Sequence, residues 1–539
     1  MSESKDIISE KETRYSENSK DNGNGKLLEY DAAAREQRVY TDPKSKWIHI
    51  LTIIAAGFAL ISDGYQNNVM SMLNKVFPVE YGKEVYSSAV STRVSNASLV
   101  GTIIGQVTVG FACDYMGRKW SILVATTALV LGTLLCAAAH APNLNGLFWY
   151  LTVMRGLVGI GIGAEYPCSS VSANESANEY SSKRRGAIMI MVTNFPLSLG
   201  GPFASIIFLI VQSCTGTEHL TALWRTMFAL GIFWPLSVFY FRWKMATNVL
   251  YKKGKFKSKV PLLLSLKYCW KRLIGTTFTW FLYDFVTFPN GIFSSTIISS
   301  VISDSSNLRK VAEWNLLLGI IAIPGVFVGA YLSDIIGRKY TLMIGFAGYI
   351  VFGLIIGCGL DKIDKIVPLF IVFYGLMNSF GNLGPGCCLG VVSSEAFPTA
   401  IRGTLYGFSA AIGKVGAVVG TESFTPIRDK LGPRWTFIIA AICGLLGLTT
   451  AFFFVPHLKE HDLMENDIKF HNFLIENGWT GKMGFDDEDD DEEKEITTHG
   501  DLELSHVEYN SNGVVEQQLD PEDKKSVVNL YVETRDSNI

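Results

Sequence analysis

The 539 residues would suffice for three or four soluble domains, but the composition excludes that arrangement. Hydrophobic residues make up 48%, charged residues 18%, and the mean hydropathy is +0.24. The charges are concentrated in the two ends and in short gaps between apolar blocks, which is the pattern of a multi-span membrane protein.

The formal net charge of -3 sums an acidic tail, a basic central loop and a nearly uncharged middle. No nucleic-acid partner is expected. Six of the nine cysteines, Cys113, Cys136, Cys358, Cys387, Cys388 and Cys443, lie in apolar blocks. A disulfide framework is therefore not expected, and no CxxC pair points to metal. Residues 1–46 are polar, so no cleavable signal peptide is expected and the first span acts as its own targeting signal.

Twelve spans follow, starting at Trp47, Ala97, Ser121, Phe148, Ala187, Thr226, Leu273, Ala312, Thr341, Ile366, Leu405 and Thr436 and ending near Pro456. The runs are continuous rather than alternating, so they read as helices and not as a barrel. Residues 242–272 hold ten basic residues and no acid. Shorter loops on the same side hold Arg118–Lys119, Lys183–Arg184–Arg185, Arg338–Lys339 and Arg402. The positive-inside rule then puts both termini in the cytosol. The expected organisation is a cytosolic N-tail (1–46), a six-helix bundle (47–241), a basic loop (242–272), a second six-helix bundle (273–456) and an acidic C-tail (457–539).

The two bundles repeat. Gly110-x-x-x-Asp114-x-x-Gly117-Arg118-Lys119 ends span two, and Asp334-x-x-Gly337-Arg338-Lys339 ends span eight, 220 residues later. Glu175 matches Glu395 at the same offset, and Asp63 matches Asp284 at 221. Duplication of this kind marks a transporter with a central site between two bundles. In each loop the acid is expected to face a helix N-terminus or an Arg of a neighbour. The glycine turn should carry the basic pair to the cytosolic surface, where such charges latch an inner gate. Glu175 and Glu395 join that gating set.

Five ionisable residues lie deep in the spans: Asp63, Arg155, Glu165, Asp284 and Lys414. Each costs at least ~2.5–3.5 kcal/mol on insertion scales, so each should face a cavity or a partner. Lys414 and Asp284 lie near the midplane, and Trp280 shares a helix face with Asp284. A Lys414–Asp284 pair is expected there. In span four, glycines 159, 161 and 163 precede Glu165-Tyr166-Pro167. They read as a close-packing face. Pro167 is expected to open polar groups, Glu165 among them, to the cavity. No nucleophile–base or metal arrangement appears, so the chain reads as a transporter and not an enzyme.

The paired Asp-x-x-Gly-Arg-Lys loops resemble the major facilitator superfamily. Gly161-Ile-Gly163-Ala-Glu165-Tyr166-Pro167 with Ser172-Ala-Asn-Glu175 resembles the phosphate:proton symporters of fungi and plants. So do Gly275-Thr276…Trp280-Phe281-Leu-Tyr-Asp284 and Ala410-Ala-Ile-Gly413-Lys414. Over nearly the whole chain the resemblance is to the fungal glycerophosphodiester permeases. It rests further on Gly57…Asp63-Gly64-Tyr65, Asp284…Asn290-Gly291 and Gly478-Trp-Thr-Gly-Lys-Met-Gly484-Phe.

The phosphate symporters imply a substrate site at Tyr166, Trp280, Asp284 and Lys414. Asn194, Phe288 and Gly386 stand where that family has a Gln region, a Tyr and an Asn. The changes suit a roomier site for a phosphodiester with a bulky head. The resemblance implies a plasma-membrane, proton-coupled symporter of glycerophosphoinositol or glycerophosphocholine, with inorganic phosphate as the alternative substrate. Asp63, Glu165 and Asp284 are the expected proton-coupling acids. The proton is the coupling ion and no cofactor is implied. A choline head would use aromatics among Tyr65, Tyr166, Trp280, Phe285 and Phe288. An inositol head would use Asn194, Asn290, Asn378 or Asn382. Partners beyond substrate and bilayer would be cytosolic regulatory or ubiquitin machinery at the tails.

Overall fold

The computed structural model describes residues 60–180, 184–216, 218–243, 261–302, 307–457, 463–481 and 483. Outside them lie both expected tails in the main, the start of span one, Lys183, most of the basic loop and the acidic block 486–495. One compact unit, Met1–Lys255 with Lys259–Thr480, holds every helix described here. Of the second, Phe256–Ser258 with Gly481–Ile539, only Gly481 and Met483 are described.

The described residues form helices and no strand. The first half contains α1 (Leu60–Tyr81), α2 (Ser88–Met116), α3 (Arg118–Ala137), α4 (Leu144–Tyr180), α5 (Arg185–Thr215), α6 (Leu220–Leu230) and α7 (Phe233–Trp243). The second contains α8 (Leu262–Ile292), α9 (Ser294–Val301), α10 (Leu308–Ile335), α11 (Arg338–Ile363), α12 (Val367–Gly381), α13 (Cys387–Ala396), α14 (Arg402–Leu431) and α15 (Arg434–Phe454). A final helix, α16 (Leu463–Glu476), follows. Among the described residues nine helices or helix pairs are long and apolar enough to cross a bilayer. The helices α1, α8 and α14 stand where spans one, seven and eleven are expected. Inward-facing polar residues lower their hydropathy.

Polar side chains cap the starts of two of these helices. Ser87 accepts from the Val90 N–H at the start of α2. Asn307 accepts from the N–H groups of Arg309 and Lys310 at the start of α10. Each is an N-cap that satisfies otherwise orphaned donors. Span seven is the largest revision. Its helix begins at Leu262 rather than Leu273, so residues 262–272 are helical and not loop.

The span-four glycines pack as expected. A Cβ on Gly159 would lie 2.0 Å from the Ser98 carbonyl oxygen, and one on Gly163 2.1 Å from that of Thr102. Only glycine lets α4 approach α2 so closely. Contact between the halves is carried mainly by α2 with α14 and α5 with α10. These are equivalent pairs under the sequence repeat.

Candidate functional site

Between the halves lies a cavity of about 260 Å³. Tyr166, Asn194, Trp280, Asp284, Phe288, Gly386 and Lys414, the whole expected substrate set, line it. The Lys414 Nζ donates to Asp284 Oδ2 at 2.6 Å, and both side chains are buried. The same ammonium sits 4.2 Å from the Phe288 ring centroid and 5.6 Å from that of Tyr166. These are cation–π distances. Trp280 is one turn before Asp284 and meets Tyr406 edge-on at 5.6 Å. Gly413 gives the indole its room, since a Cβ there would lie 2.5 Å from Trp280 Cδ1.

Two expectations about shape change. Gly386 does not leave an empty space. A Cβ there would lie 2.9 Å from the Tyr283 hydroxyl, so Tyr283 takes up the room. The aromatic set for a choline head also shrinks. Tyr65 is fully buried with its hydroxyl donated to the Met227 carbonyl at 2.6 Å, and Phe285 stacks on Phe281. Neither lines the cavity. Tyr166, Trp280 and Phe288 remain, and Tyr166 and Phe288 already face Lys414.

Amides line the cavity instead. Asn194, Asn290, Asn378 and Asn382 are there as expected, with Asn67, Asn68 and Asn315 besides. Most are committed. Asn290 donates to the Val286 carbonyl, Asn382 to that of Ala322, and Asn194 to the Cys387 sulfur. Asn67 and Asn378 carry no side-chain hydrogen bond among the described residues, which leaves their amides for a ligand. Asn290 lies six residues beyond Asp284, about 9 Å along the helix. The cation and the amides therefore occupy different depths.

The N-terminal half differs from expectation. Glu165 does not open to the cavity, because α4 runs unbroken past Pro167 to Tyr180. Its Oε1 is bonded to Arg242 in α7. Arg242 also donates to Thr126 Oγ1 at 2.7 Å and is wholly buried. It belongs to the helix end and not to the basic loop where sequence reading put it. The available signal was its position at the end of an apolar run, ten residues past Ile232 and before Trp243. Asp63 is also wholly buried, and neither carboxylate oxygen has a hydrogen-bond partner among the described residues. Arg155 has no carboxylate partner there and donates to the Gln66 carbonyl at 3.1 Å.

The duplicated loops form two latches on the tail side. Gly117 and Gly337 both take φ 90°, a backbone that favours glycine. Each turn sends its Arg inward rather than to the surface. Arg118 reaches Asp114 at 2.7 Å and Glu175 at 3.0 Å. Arg338 reaches Asp334 at 3.4 Å and Glu395 at 3.0 Å. Only Lys119 and Lys339, the second members of each pair, stay partly exposed. Both latches cross between the halves. Arg402 binds Glu175 at 3.1 Å, and Arg185 binds Glu395 at 2.8 Å. Asp114 accepts from the Gly403 and Thr404 N–H groups at the start of α14, at 3.0 and 2.6 Å. Asp334 accepts from the Ala187 N–H at 3.2 Å. Arg185 and Arg402 had been read only as loop charge.

On the far side Ser71 hydrogen-bonds with Ser294 and Ser295, both at 2.7 Å. Lys75 donates to Ser299 at 2.6 Å, and Asn96 to Glu422 at 2.7 Å. The halves thus touch on both sides of the cavity.

Residues 49–470 match the model of the sugar (and other) transporter family. The glycerophosphoinositol transporter 1 of Saccharomyces cerevisiae is 65% identical over 91% of this chain and 94% of its own length. The glycerophosphoinositol permease 1 of Candida albicans is 62% identical over the same shares. Among solved structures, the proton:xylose symporter XylE superposes with a TM-score of 0.65 at 17% identity, over 79% of this chain and 99% of its own. The cavity between repeated halves, the paired latches and these matches agree: the chain belongs to the sugar (and other) transporter family and has the major facilitator fold.

Proposed function

We propose that this protein is a proton-coupled symporter importing glycerophosphodiesters across the plasma membrane by alternating access. In this reading twelve spans form two bundles, 47–241 and 273–456, with both termini cytosolic. The observation that carries it is charge matching. Lys414 is the one Lys or Arg among the described residues lining the cavity, and Asp284 already neutralises it. A phosphodiester group carries a single negative charge, which is the net charge of glycerophosphoinositol and is balanced within glycerophosphocholine by its ammonium. One cation released from its acid suits that charge, and the amide wall suits a polar head. The names of the 65% and 62% identical relatives support the same substrate class.

The proton's role follows from the pair. An inside-negative potential opposes anion import by about 2.3 kcal/mol per charge per 100 mV. A proton arriving with the substrate neutralises Asp284 and frees Lys414 for the phosphodiester. Substrate and proton leave together when the halves rock and the tail-side latches part. Asp63 is the better second proton site, because its carboxylate has no hydrogen-bond partner among the described residues, whereas Glu165 is held by Arg242. Asp114, Gly117, Arg118, Lys119, Asp334, Gly337, Arg338, Lys339, Glu175 and Glu395 serve the inner gate.

The test is uptake of radiolabelled glycerophosphoinositol, glycerophosphocholine and phosphate in cells lacking their own permeases, at acidic and neutral pH. Diester uptake that collapses with a protonophore is expected. Uptake of phosphate alone would reject the diester assignment and leave Tyr166, Trp280, Asp284 and Lys414 as a phosphate site.

A further inference from the structure

A second cleft lies on the lateral surface, away from the central cavity. It has a volume of about 980 Å³ and is walled by α2 and α4 of the first half and α14 of the second. Its floor is apolar and open to the bilayer. Val100, Ile104 and Val153 are exposed there, with Leu157 and Ile160 beside them. At its outer end stands Arg93, stacked on Trp149 with the guanidinium carbon 3.9 Å from the ring centroid. Two of the three guanidinium nitrogens, Nε and Nη2, are buried without a hydrogen-bond partner. No carboxylate pairs with Arg93 among the described residues. Glu422 lines the same cleft, exposed and held by Asn96 across the boundary between the halves.

This combination is costly unless something occupies it. A cation at the membrane interface without a counter-ion favours an anionic group from outside the protein beside it. From Arg93 to Ile104 is eleven residues, about 16 Å of helix. That is about half of the ~30 Å hydrocarbon core. An acyl chain laid on Val100 and Ile104 therefore places its own phosphate beside Arg93. Glu422 stands in the same interfacial layer and suits the amine of that head group.

We propose that this cleft binds one outer-leaflet glycerophospholipid with an amine head group. Its phosphodiester sits on Arg93, its ammonium faces Glu422, and one acyl chain covers the floor. Because α2 and α14 belong to different halves and the Asn96–Glu422 bond joins them here, the bound lipid bridges the halves on the outer side. It stabilises the arrangement in which that side is closed.

The experiment uses the full chain purified in detergent, with phosphatidylcholine or phosphatidylglycerol added and bound lipid counted by native mass spectrometry. Wild type should retain one phosphatidylcholine and hold it about fivefold better than phosphatidylglycerol. Arg93→Gln should lose that retention at least fivefold. Glu422→Gln, which keeps an acceptor for Asn96, should abolish the preference between the two lipids. The double variant Lys414→Ala/Asp284→Ala, which leaves no unpaired charge in the central site, should retain phosphatidylcholine normally, and this separates the cleft from the central site whatever the transported substrate. Retention unchanged in Arg93→Gln would overturn the proposal. So would displacement of the lipid by free glycerophosphocholine, which would make the occupant a soluble diester.

Discussion

The two halves derive from one repeated unit, yet they treat their buried charges differently. In the second half Lys414 and Asp284 form a matched pair at the cavity wall. In the first half Asp63 has no hydrogen-bond partner among the described residues, and neither it nor Glu165 lines the cavity. Glu165 is neutralised from behind by Arg242. A matched pair on the pathway can exchange its acid for a substrate anion at little net cost. An unpaired carboxyl behind the wall has no anion to trade and gains most from a proton. Under the proposed function, the duplicated scaffold has divided its work: the second half binds the anion and the proton that frees Lys414, and the first half holds a second proton site at Asp63.

The sharpest way to break this division is at Lys414. Lys414→Ala leaves Asp284 as a buried unpaired charge, which costs about 3–5 kcal/mol of stability. Uptake should fall below detection. The double variant Lys414→Ala/Asp284→Ala should recover most of the stability, read as Tm in detergent, without recovering uptake. A single-site role in packing alone would predict recovery of both. Lys414→Arg should remain folded and transport poorly, because the guanidinium is a broad planar fork where the site holds a compact ammonium.

The first half should respond in the opposite sense. Asp63→Asn removes no hydrogen bond and should leave stability within about 1 kcal/mol. Net uptake driven by a pH gradient should fall, while exchange of labelled for unlabelled substrate persists. Glu165→Gln strands the Arg242 charge and should destabilise by about 3 kcal/mol. If Asp63→Asn destabilised as much as Glu165→Gln, Asp63 would hold a structural partner and the division would fail.

A smaller effect separates the head groups. Asn378 lines the cavity with an uncommitted amide. Asn378→Leu should raise KM for glycerophosphoinositol up to about tenfold, the worth of one or two hydrogen bonds. Glycerophosphocholine, which has no head-group hydroxyls to satisfy, should change less than about twofold.

The sequence made the matched pair legible and the division between halves only partly so. Asp284, Lys414 and Trp280 were found because a charge in an apolar run demands an explanation, and helical spacing puts Trp280 and Asp284 on one face. The latch acids and glycines were found because they repeat. Arg242 was missed because it ends its span. There, a buried partner for Glu165 and a cytosolic anchor look alike along the chain. Arg185 and Arg402 hid in the same way among loop charges. The reach of Tyr283 towards Gly386 was unreadable, since a glycine announces absent bulk but not which neighbour claims the space.

The smallest predicted effect tests whether the two latches are still equivalent. The helix α16 docks beside one of them only. Asp467 accepts from the Thr399 N–H at 2.6 Å and from the Thr399 hydroxyl at 2.5 Å, and Arg402 stands 4.0 Å away. Glu395 binds Arg185 and Arg338, and Asp467 of α16 docks at the other latch. Burial pushes the Asp467 acid up to about 6, although Arg402 and the Thr399 bonds pull it down and Glu175 adds to the rise. An undocked Asp titrates near 3.9. The docked state therefore holds its proton more tightly, and docking gains stability as pH falls. That gain is fully present below about 4 and is lost as pH rises through about 6. Between pH 7 and pH 5 the gain is about 1.3 kcal/mol, close to tenfold in the opening equilibrium. Amide exchange in α16 should slow by that factor on acidification, and Asp467→Asn should flatten the profile. Under the proposed function, proton import with substrate would acidify the tail side, so the Glu175 latch would tighten as transport proceeds while the Glu395 latch would not. Equal pH responses of exchange around Glu175 and Glu395 would show that α16 leaves the duplicated gate symmetric.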